Sequence, residues 1–265
     1  LINGVGISKN DLTGGKYYTI GNITDDQIIV VKNVQLNTYI MEIPTGEGYT
    51  IGVYNGTSNI VTHGNDFNFI LTLGEAYKES EKNVKIYVQP TDQSRPKEEI
   101  VKGTGFYTIK KVEEAFTLTV EGVEISVFNI TFPTGGVGYE IAAFNNQPME
   151  VEYNNDFVFT VVLEEAYSDS PVMVKANGVF LSPESAGSTL YKISGIKAHQ
   201  TITVENVVVN TYKINLITGT GYNYTPITEG YIVEFGNAYE FNVSLLEGYT
   251  KSNYTVRYRT TGAED

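Results

Sequence analysis

The stretch Asn65-Asp-Phe-Asn-Phe-Ile-Leu-Thr-Leu73 decides the fold class of this chain. Every second residue from Phe67 to Leu73 is a large apolar one, which places four side chains on one face of an extended strand. Its aromatic and branched residues favour a strand, and no segment of the chain shows a convincing helical period. The pattern therefore predicts an all-β protein.

Outward from this stretch, one pattern recurs three times along the chain. The strand motif returns as Asn155-Asp-Phe-Val-Phe159 and Asn237-Ala-Tyr-Glu-Phe241. A Gly-x-Gly-Tyr turn precedes each copy, and a tyrosine follows ten residues after its first aromatic. The turns hold Gly48-Tyr49, Gly138-Tyr139 and Gly221-Tyr222, and the later tyrosines are Tyr77, Tyr167 and Tyr249. Such fixed spacing indicates an internal repeat of roughly ninety residues.

A second half of the repeat also occurs three times. It begins at Tyr18-Thr-Ile20, Tyr107-Thr-Ile109 and Tyr191-Lys-Ile193, and 21 residues later come Tyr39, Phe128 and Tyr212. The spacing predicts a second half-unit over 1–36, whole units over 37–125 and 126–209, and a first half-unit over 210–265. A shifted phase with three complete domains, 1–90, 91–180 and 181–265, stays open because Pro90 and Pro96 would suit a linker.

Turn signals at regular intervals divide each unit into about seven short strands, a pattern typical of an immunoglobulin-like β-sandwich. The chain has neither Cys nor Trp, so we expect the sandwich architecture rather than a true antibody domain. No Pro-rich or Ser-rich linker separates the units, which predicts tandem domains in an extended, fairly stiff array.

Two short motifs, Val174-Lys-Ala-Asn-Gly178 and Asn210-Thr-Tyr212, carry a family resemblance most clearly. With the turn and strand motifs above, they resemble the tandem Ig-like repeats of large surface proteins from gut Firmicutes and Bacteroidetes. The resemblance covers essentially the whole chain. It implies a secreted or surface-attached protein whose repeats serve as a stalk or adhesive array, without catalytic residues.

Composition argues against several classes of partner and of chemical site. The formal net charge of −13 counts against nucleic acid, whose phosphates are neutralised by Lys and Arg. The absence of Cys excludes disulfides, thiolate zinc sites and a Cys nucleophile. No apolar run approaches a membrane span, so membrane insertion of this segment is not expected. Because the chain opens on Leu1, we expect a piece of a longer exported protein whose targeting segment is missing.

Candidate chemical groups favour structural explanations. His63 and His199 occupy different positions in the repeat and form no recurring pair. Adjacent carboxylates on a strand point to opposite faces, whereas a glycosidase needs two that face each other across a cleft. Such pairs are Glu164-Glu165, Glu113-Glu114 and Asp25-Asp26. We predict no catalytic, cofactor-binding or metal site, with Ca²⁺ at domain junctions as the open alternative.

Three further groups of residues favour structural roles over chemistry. Lys85 and Lys175 align in the repeat and would suit a Lys–Asn isopeptide bond, but Arg257 stands in the third copy and the strand pattern places both lysines in solvent. The Gly-Tyr turns lack the following helix that a phosphate-binding loop needs. The tyrosines could stack on sugars, although most occupy shared framework positions.

Together with the family resemblance, the repeat pattern predicts a non-catalytic structural or adhesive repeat region of a bacterial cell-surface or fibre-forming protein. The alternative is an adhesin module that binds a carbohydrate or a host ligand. The expected partners are neighbouring copies of the same repeat or chain. In particular, the half-units at the two ends would complement each other head to tail, because half a sandwich exposes strand edges and an apolar face.

Overall fold

The computed structural model describes residues 10–12, 15–56 and 58–260. Its regular structure is almost entirely β, which confirms the prediction of an all-β protein. The helical elements are three short 3-10 segments at Glu75–Asn83, Phe144–Asn146 and Glu165–Tyr167. Across the described ranges, no helix has the length and apolar character needed to cross a bilayer. The parts of the predicted end halves at 1–9, 13–14 and 261–265 lie outside the described residues.

The chain divides into two compact units, residues 1–125 and 126–265. The first begins with a hairpin of β1 (Asn10–Leu12) and β2 (Gly15–Tyr17). Eight strands then follow: β3 (Thr38–Glu42), β4 (Tyr49–Val53), β5 (Ile60–Thr62), β6 (Phe67–Leu73), β7 (Lys85–Pro90), β8 (Glu98–Ile100), β9 (Tyr107–Ile109) and β10 (Phe116–Glu121). They form one sheet in the order β5-β3-β10-β7-β8 and another in the order β4-β6-β9.

One apolar core joins these two sheets. Phe67 and Phe69 alternate on the inner face of β6 as the sequence predicted, and the Phe69 ring stacks on Tyr107 with centroids 5.4 Å apart. Met41 and Leu118 complete the core from the five-stranded sheet. Because side chains of both sheets pack together, the arrangement is consistent with a β-sandwich.

The second unit repeats this order. Its first eight strands are β11 (Val127–Thr131), β12 (Tyr139–Ala143), β13 (Glu150–Glu152), β14 (Phe157–Leu163), β15 (Met173–Ala176), β16 (Val179–Leu181), β17 (Leu190–Ile193) and β18 (Gln200–Glu205). The sheets run β13-β11-β18-β15-β16 and β12-β14-β17. Phe157, Phe159 and Ile202 are fully buried between them.

The remainder of the second unit is only partly assembled. It contains β19 (Thr211–Lys213) paired with β21 (Ile232–Glu234), and β20 (Tyr222–Pro226) paired with β22 (Phe241–Leu245). Phe241 stands where Phe69 and Phe159 are fully buried, yet it is only half-buried, as is Tyr239. Residues 251–260 form no strand, and neither do residues 18–37.

The strand order departs from the expected immunoglobulin arrangement. Each complete set has eight strands rather than about seven, and the first strand lies parallel to the last, as in the pairing of Met41 with Phe116. In antibody constant domains the first strand instead belongs to a four-stranded sheet with the order ABED. The sequence period predicted strands and their inner faces, but strand order depends on contacts between distant residues.

Candidate functional site

The Gly-x-Gly-Tyr turns are built around a glycine that lies beneath a tyrosine ring. Gly48 has φ +84°, and a Cβ placed on it would lie 2.5 Å from Cδ1 of Tyr77. The same relation joins Gly138 to Tyr167 and Gly221 to Tyr249, at 2.5 and 2.6 Å. Only glycine combines this left-handed backbone with a ring at such close range. The shared Gly and Tyr positions are therefore two halves of one contact.

The rest of the turn is held in the same way in all three copies. The first glycine of each motif lies under the tyrosine that ends that motif, as Gly46 lies under Tyr49. A backbone hydrogen bond from the following strand end closes the turn. These bonds are Gly74 N–H to Gly48 O at 2.8 Å, Glu164 N–H to Gly138 O at 3.0 Å and Leu246 N–H to Gly221 O at 2.9 Å. The turn thus serves packing, as the sequence indicated.

One turn carries an additional polar contact. The Tyr77 hydroxyl donates a 2.9 Å hydrogen bond to Oε1 of Glu47, and this bond raises the pKa of Tyr77 above its ordinary value. Val137 and Thr220 occupy the position of Glu47 in the other copies. Neither residue has a carboxylate, so this bond distinguishes the first unit.

The junction between β18 and β19 is organised by the buried side chain of Asn210. Its amide nitrogen donates to Glu165 O at 3.1 Å and Ser168 Oγ at 2.9 Å, and its Oδ1 accepts from the backbone N–H of Asp169 at 3.0 Å. The backbone N–H of Asn210 also donates to Ala166 O at 2.7 Å. Asn210 therefore fixes the start of the third repeat to the 165–169 turn of the second.

Ser170 makes a second tie at the same junction. Its hydroxyl donates to Val208 O at 2.8 Å and accepts from Val208 N–H at 3.0 Å. Sequence reasoning identified the recurring Ser170 and the Asn210-Thr-Tyr212 motif but did not foresee this clamp. The signal was available, since Asn37-Thr-Tyr39 has the same form as Asn210-Thr-Tyr212.

Left-handed residues recur in the second half of the repeat. Asn22, Lys111 and Gly195 share one position, with φ of 50°, 48° and 59°. Asn33, Gly122 and Asn206 share another, with φ of 59°, 77° and 60°. Segment 18–36 therefore follows the backbone pattern of the two complete copies at both points, although it forms no strand.

The two histidines are exposed. Nδ1 of His63 is 3.1 Å from the Tyr39 hydroxyl, while Nδ1 of His199 accepts a 2.9 Å hydrogen bond from the Asn129 N–H. The His199 ring packs edge-on against Phe128. Each histidine therefore lies beside the first aromatic residue of its repeat, His63 beside Tyr39 and His199 beside Phe128.

The carboxylate pairs do not converge on a cleft. Glu164, Glu165 and Glu113 are exposed, and Glu114 forms an ion pair with Arg95. Asp25 and Asp26 are exposed in the segment that forms no strand. These carboxylates therefore lie at the surface, each on its own part of the chain.

The lysines require a correction to the alignment of the repeats. Strand pairing places Leu118 opposite Val88 and Ile202 opposite Ala176, so Tyr87 rather than Lys85 corresponds to Lys175. The longer 3-10 segment of the first unit adds the two residues that shift the register. Lys85 pairs with Glu99 at 3.1 Å and Lys175 with Glu205 at 2.7 Å.

Two open grooves flank β8 in the first unit, with volumes of about 530 and 540 Å³. Ile100 lines both, and ion pairs at Lys85–Glu99 and Lys102–Glu81 stand along the first. Within the ranges that the structure describes, no group of three or more His, Cys, Asp or Glu side chains is arranged to hold a metal ion. Comparisons with protein-family models, curated proteins and solved structures gave no match.

Proposed function

We propose that this chain is a non-catalytic structural or adhesive repeat region of a bacterial cell-surface or fibre-forming protein. The observation that carries the proposal is the junction at Asn210, where five residues separate Glu205 from Thr211 and hydrogen bonds tie them to the preceding repeat. A short, clamped connection restricts bending between repeats. That property suits a stalk or fibre better than a flexible string of binding domains.

The packing of the recurring residues supports the same role. Phe69 and Phe159 are buried in the cores, and the rings of Tyr77 and Tyr167 lie over glycines. The sandwiches are immunoglobulin-like in their layers rather than in strand order, and the Ig-like and surface-protein assignments belong to this proposal. Secretion to the cell surface follows from the family resemblance.

Small-angle scattering on the full chain under dilute, monomeric conditions tests the architectural role. An extended particle whose length exceeds that of a single unit is expected. A compact globular particle would contradict the stalk. Asn210→Ala provides the matched comparison, because loss of the clamp should broaden the distribution of interdomain distances without unfolding either set of eight strands.

A ligand-binding adhesin is the second candidate, and the grooves beside β8 are the observation that favours it. Each is large enough for a small ligand and carries both apolar and charged groups. A glycan array probed with the full chain separates the candidates. Saturable binding of one glycan class, lost when Ile100 is changed to Glu, would favour the adhesin, whereas silence across the array would favour the stalk.

A further inference from the structure

The described residues include two Asn-Gly pairs, which differ in the hydrogen bonding of the asparagine side chain. Asn55-Gly56 lies in the connection between β4 and β5, and Asn177-Gly178 forms the turn between β15 and β16. Both asparagines are exposed, and both have a left-handed backbone, with φ of 54° and 48°. Neither exposure nor backbone conformation therefore separates the two pairs.

Hydrogen bonds hold both ends of the Asn177 side-chain amide. Its Nδ2 donates to His199 O at 2.8 Å, and its Oδ1 accepts from the Thr201 N–H at 2.9 Å. Both partners are backbone groups at or next to the start of β18, the strand that pairs with β15. The Asn177 side chain can rotate only if both bonds break.

The Asn55 side chain has no such support. Across the described ranges, its amide forms no hydrogen bond, and the N–H of Gly56 donates to no acceptor. The carbon Cγ of Asn55 and the backbone nitrogen of Gly56 are neighbours in the covalent chain. Both groups are therefore free to react with each other.

This reaction needs no enzyme. The Gly56 nitrogen loses its proton and attacks Cγ of Asn55, which forms an N–Cγ bond and closes a five-membered ring. The Cγ–Nδ2 bond breaks, and the amide nitrogen takes up a proton and leaves as ammonia. Water then opens the ring at either carbonyl, which leaves an aspartate or an isoaspartate at position 55. Glycine favours the attack because it has no Cβ to shield its nitrogen.

The second unit contains the same turn without the glycine. Asn145 occupies the position of Asn55, is also exposed and has the same φ of 54°. Its side chain forms no hydrogen bond within the part of the chain that the structure describes. The next residue, however, is Asn146, whose Cβ crowds the nitrogen that would attack. Asn145 thus lacks the unhindered neighbour, whereas Asn177 has that neighbour but a held side chain.

From these contrasts we propose that Asn55 is a site of spontaneous deamidation, with water as the co-reactant. Asn145 is protected by its neighbour and Asn177 by its hydrogen bonds. The reaction adds one negative charge to a chain whose formal net charge is −13. Position 55 is exposed and outside the core of the first unit, so the modified chain stays folded and accumulates with time. This modification does not depend on the proposed architectural role.

Peptide mapping of the full chain tests the assignment. Trypsin places the three asparagines in separate peptides, 33–78, 112–175 and 176–192, and fragmentation assigns the modified position. During incubation of the folded chain at pH 8, Asn55 should convert at least about tenfold faster than Asn177, whose two hydrogen bonds must break first. A zero-time sample corrects for conversion during digestion. Equal rates at Asn55 and Asn177, or no conversion at Asn55, would overturn the proposal.

The unfolded chain provides the control for the hydrogen bonds. In concentrated guanidinium chloride, Asn55 and Asn177 should convert at similar rates, because both are followed by glycine and neither is held. Asn145 should remain slower than both. If Asn177 stayed as slow as in the folded chain, its hydrogen bonds would be excluded as the cause of its protection.

Two variants test the role of the glycine. Gly56→Ala should lower the rate at Asn55 to near that at Asn145, and its Cβ would lie 3.3 Å from Cγ1 of Val53, which requires only a small adjustment. Asn146→Gly should make Asn145 reactive, and the left-handed φ of 55° at that position suits glycine. An unchanged rate in either variant would contradict attack by the nitrogen of the following residue.

The products identify the route of the reaction. Opening of the ring gives isoaspartate beside aspartate, and isoaspartate accepts a methyl group from a protein isoaspartyl methyltransferase. Both products should appear at position 55, and the rate should rise from pH 7 to pH 9, because the attacking nitrogen must lose its proton. Aspartate alone would indicate direct hydrolysis of the amide and would overturn the cyclic route.

Discussion

Gly48 lies directly beneath the ring of Tyr77, so close that a Cβ on residue 48 would come within 2.5 Å of Cδ1 of the ring. The two residues are 29 positions apart and close the end of the sandwich where β4 begins and β6 ends. The same contact in three copies explains why glycine and tyrosine recur together. It also provides a sensitive test of the packing.

Gly138→Ala should destabilise the second unit by about 2–4 kcal/mol, because the added methyl meets Tyr167 and the backbone has φ +83°. Gly135→Ala is the control, since its φ is +73° but nothing lies within 4 Å of the added Cβ. It should cost only the backbone strain, about 1 kcal/mol. Equal losses in urea unfolding would show that Tyr167 contributes nothing.

Phe159→Ala should lower the free energy of unfolding by about 3–5 kcal/mol, as expected for truncation of a fully buried phenylalanine. Phe180→Ala, at a side chain that is 56% exposed, should cost less than about 1 kcal/mol. Denaturant unfolding monitored by tyrosine fluorescence measures both. A loss below about 1 kcal/mol at Phe159 would place its ring outside the core.

Asn210→Ala should weaken the junction by about 1–3 kcal/mol, because the N–H of Asp169 and the C=O of Glu165 lose the partner that the buried Asn210 side chain supplies. Hydrogen exchange should show faster exchange at Asp169 and at Phe235, whose N–H donates to the Asn210 carbonyl. Asn129→Ala, at an exposed side chain, is the control and should leave both sites protected. Unchanged exchange in Asn210→Ala would mean that the clamp does not stabilise the junction.

Asp156→Asn should show a pH-dependent stability loss. The hydrogen bond from Lys192, with that from the Gly195 N–H, lowers the pKa of Asp156 below its ordinary value of 3.8. A lowered carboxyl pKa stabilises the fold above the ordinary value, and this contribution disappears as the pH falls through the folded-state pKa. The stabilities of the wild type and the variant should therefore differ at pH 7 and become equal near pH 2.

Thermal unfolding across that range measures the convergence. Asp169→Asn removes the same charge from another exposed carboxylate, and its stability should differ much less from that of the wild type at pH 7. If the difference in melting temperature between Asp156→Asn and the wild type stayed constant from pH 7 to pH 2, the ionised carboxylate would be excluded as the cause of that difference.

Local patterns in the sequence determined the class of structure and the inner faces of its strands. Alternation places Phe67 and Phe69 inward because successive side chains of a strand point to opposite faces, and no distant residue changes that geometry. The recurring spacing likewise identified the repeat and the framework role of the Gly-Tyr turns. Composition limited the chemistry by removing thiols and a basic surface.

Only the tertiary structure decided which distant residues meet. The parallel pairing of Met41 with Phe116, the register that matches Tyr87 rather than Lys85 to Lys175, and the clamp at Asn210 all join residues far apart in the chain. A strand's alternation is the same beside any partner, so it cannot specify which strand lies next to it. That choice is made when the two sheets close over one core.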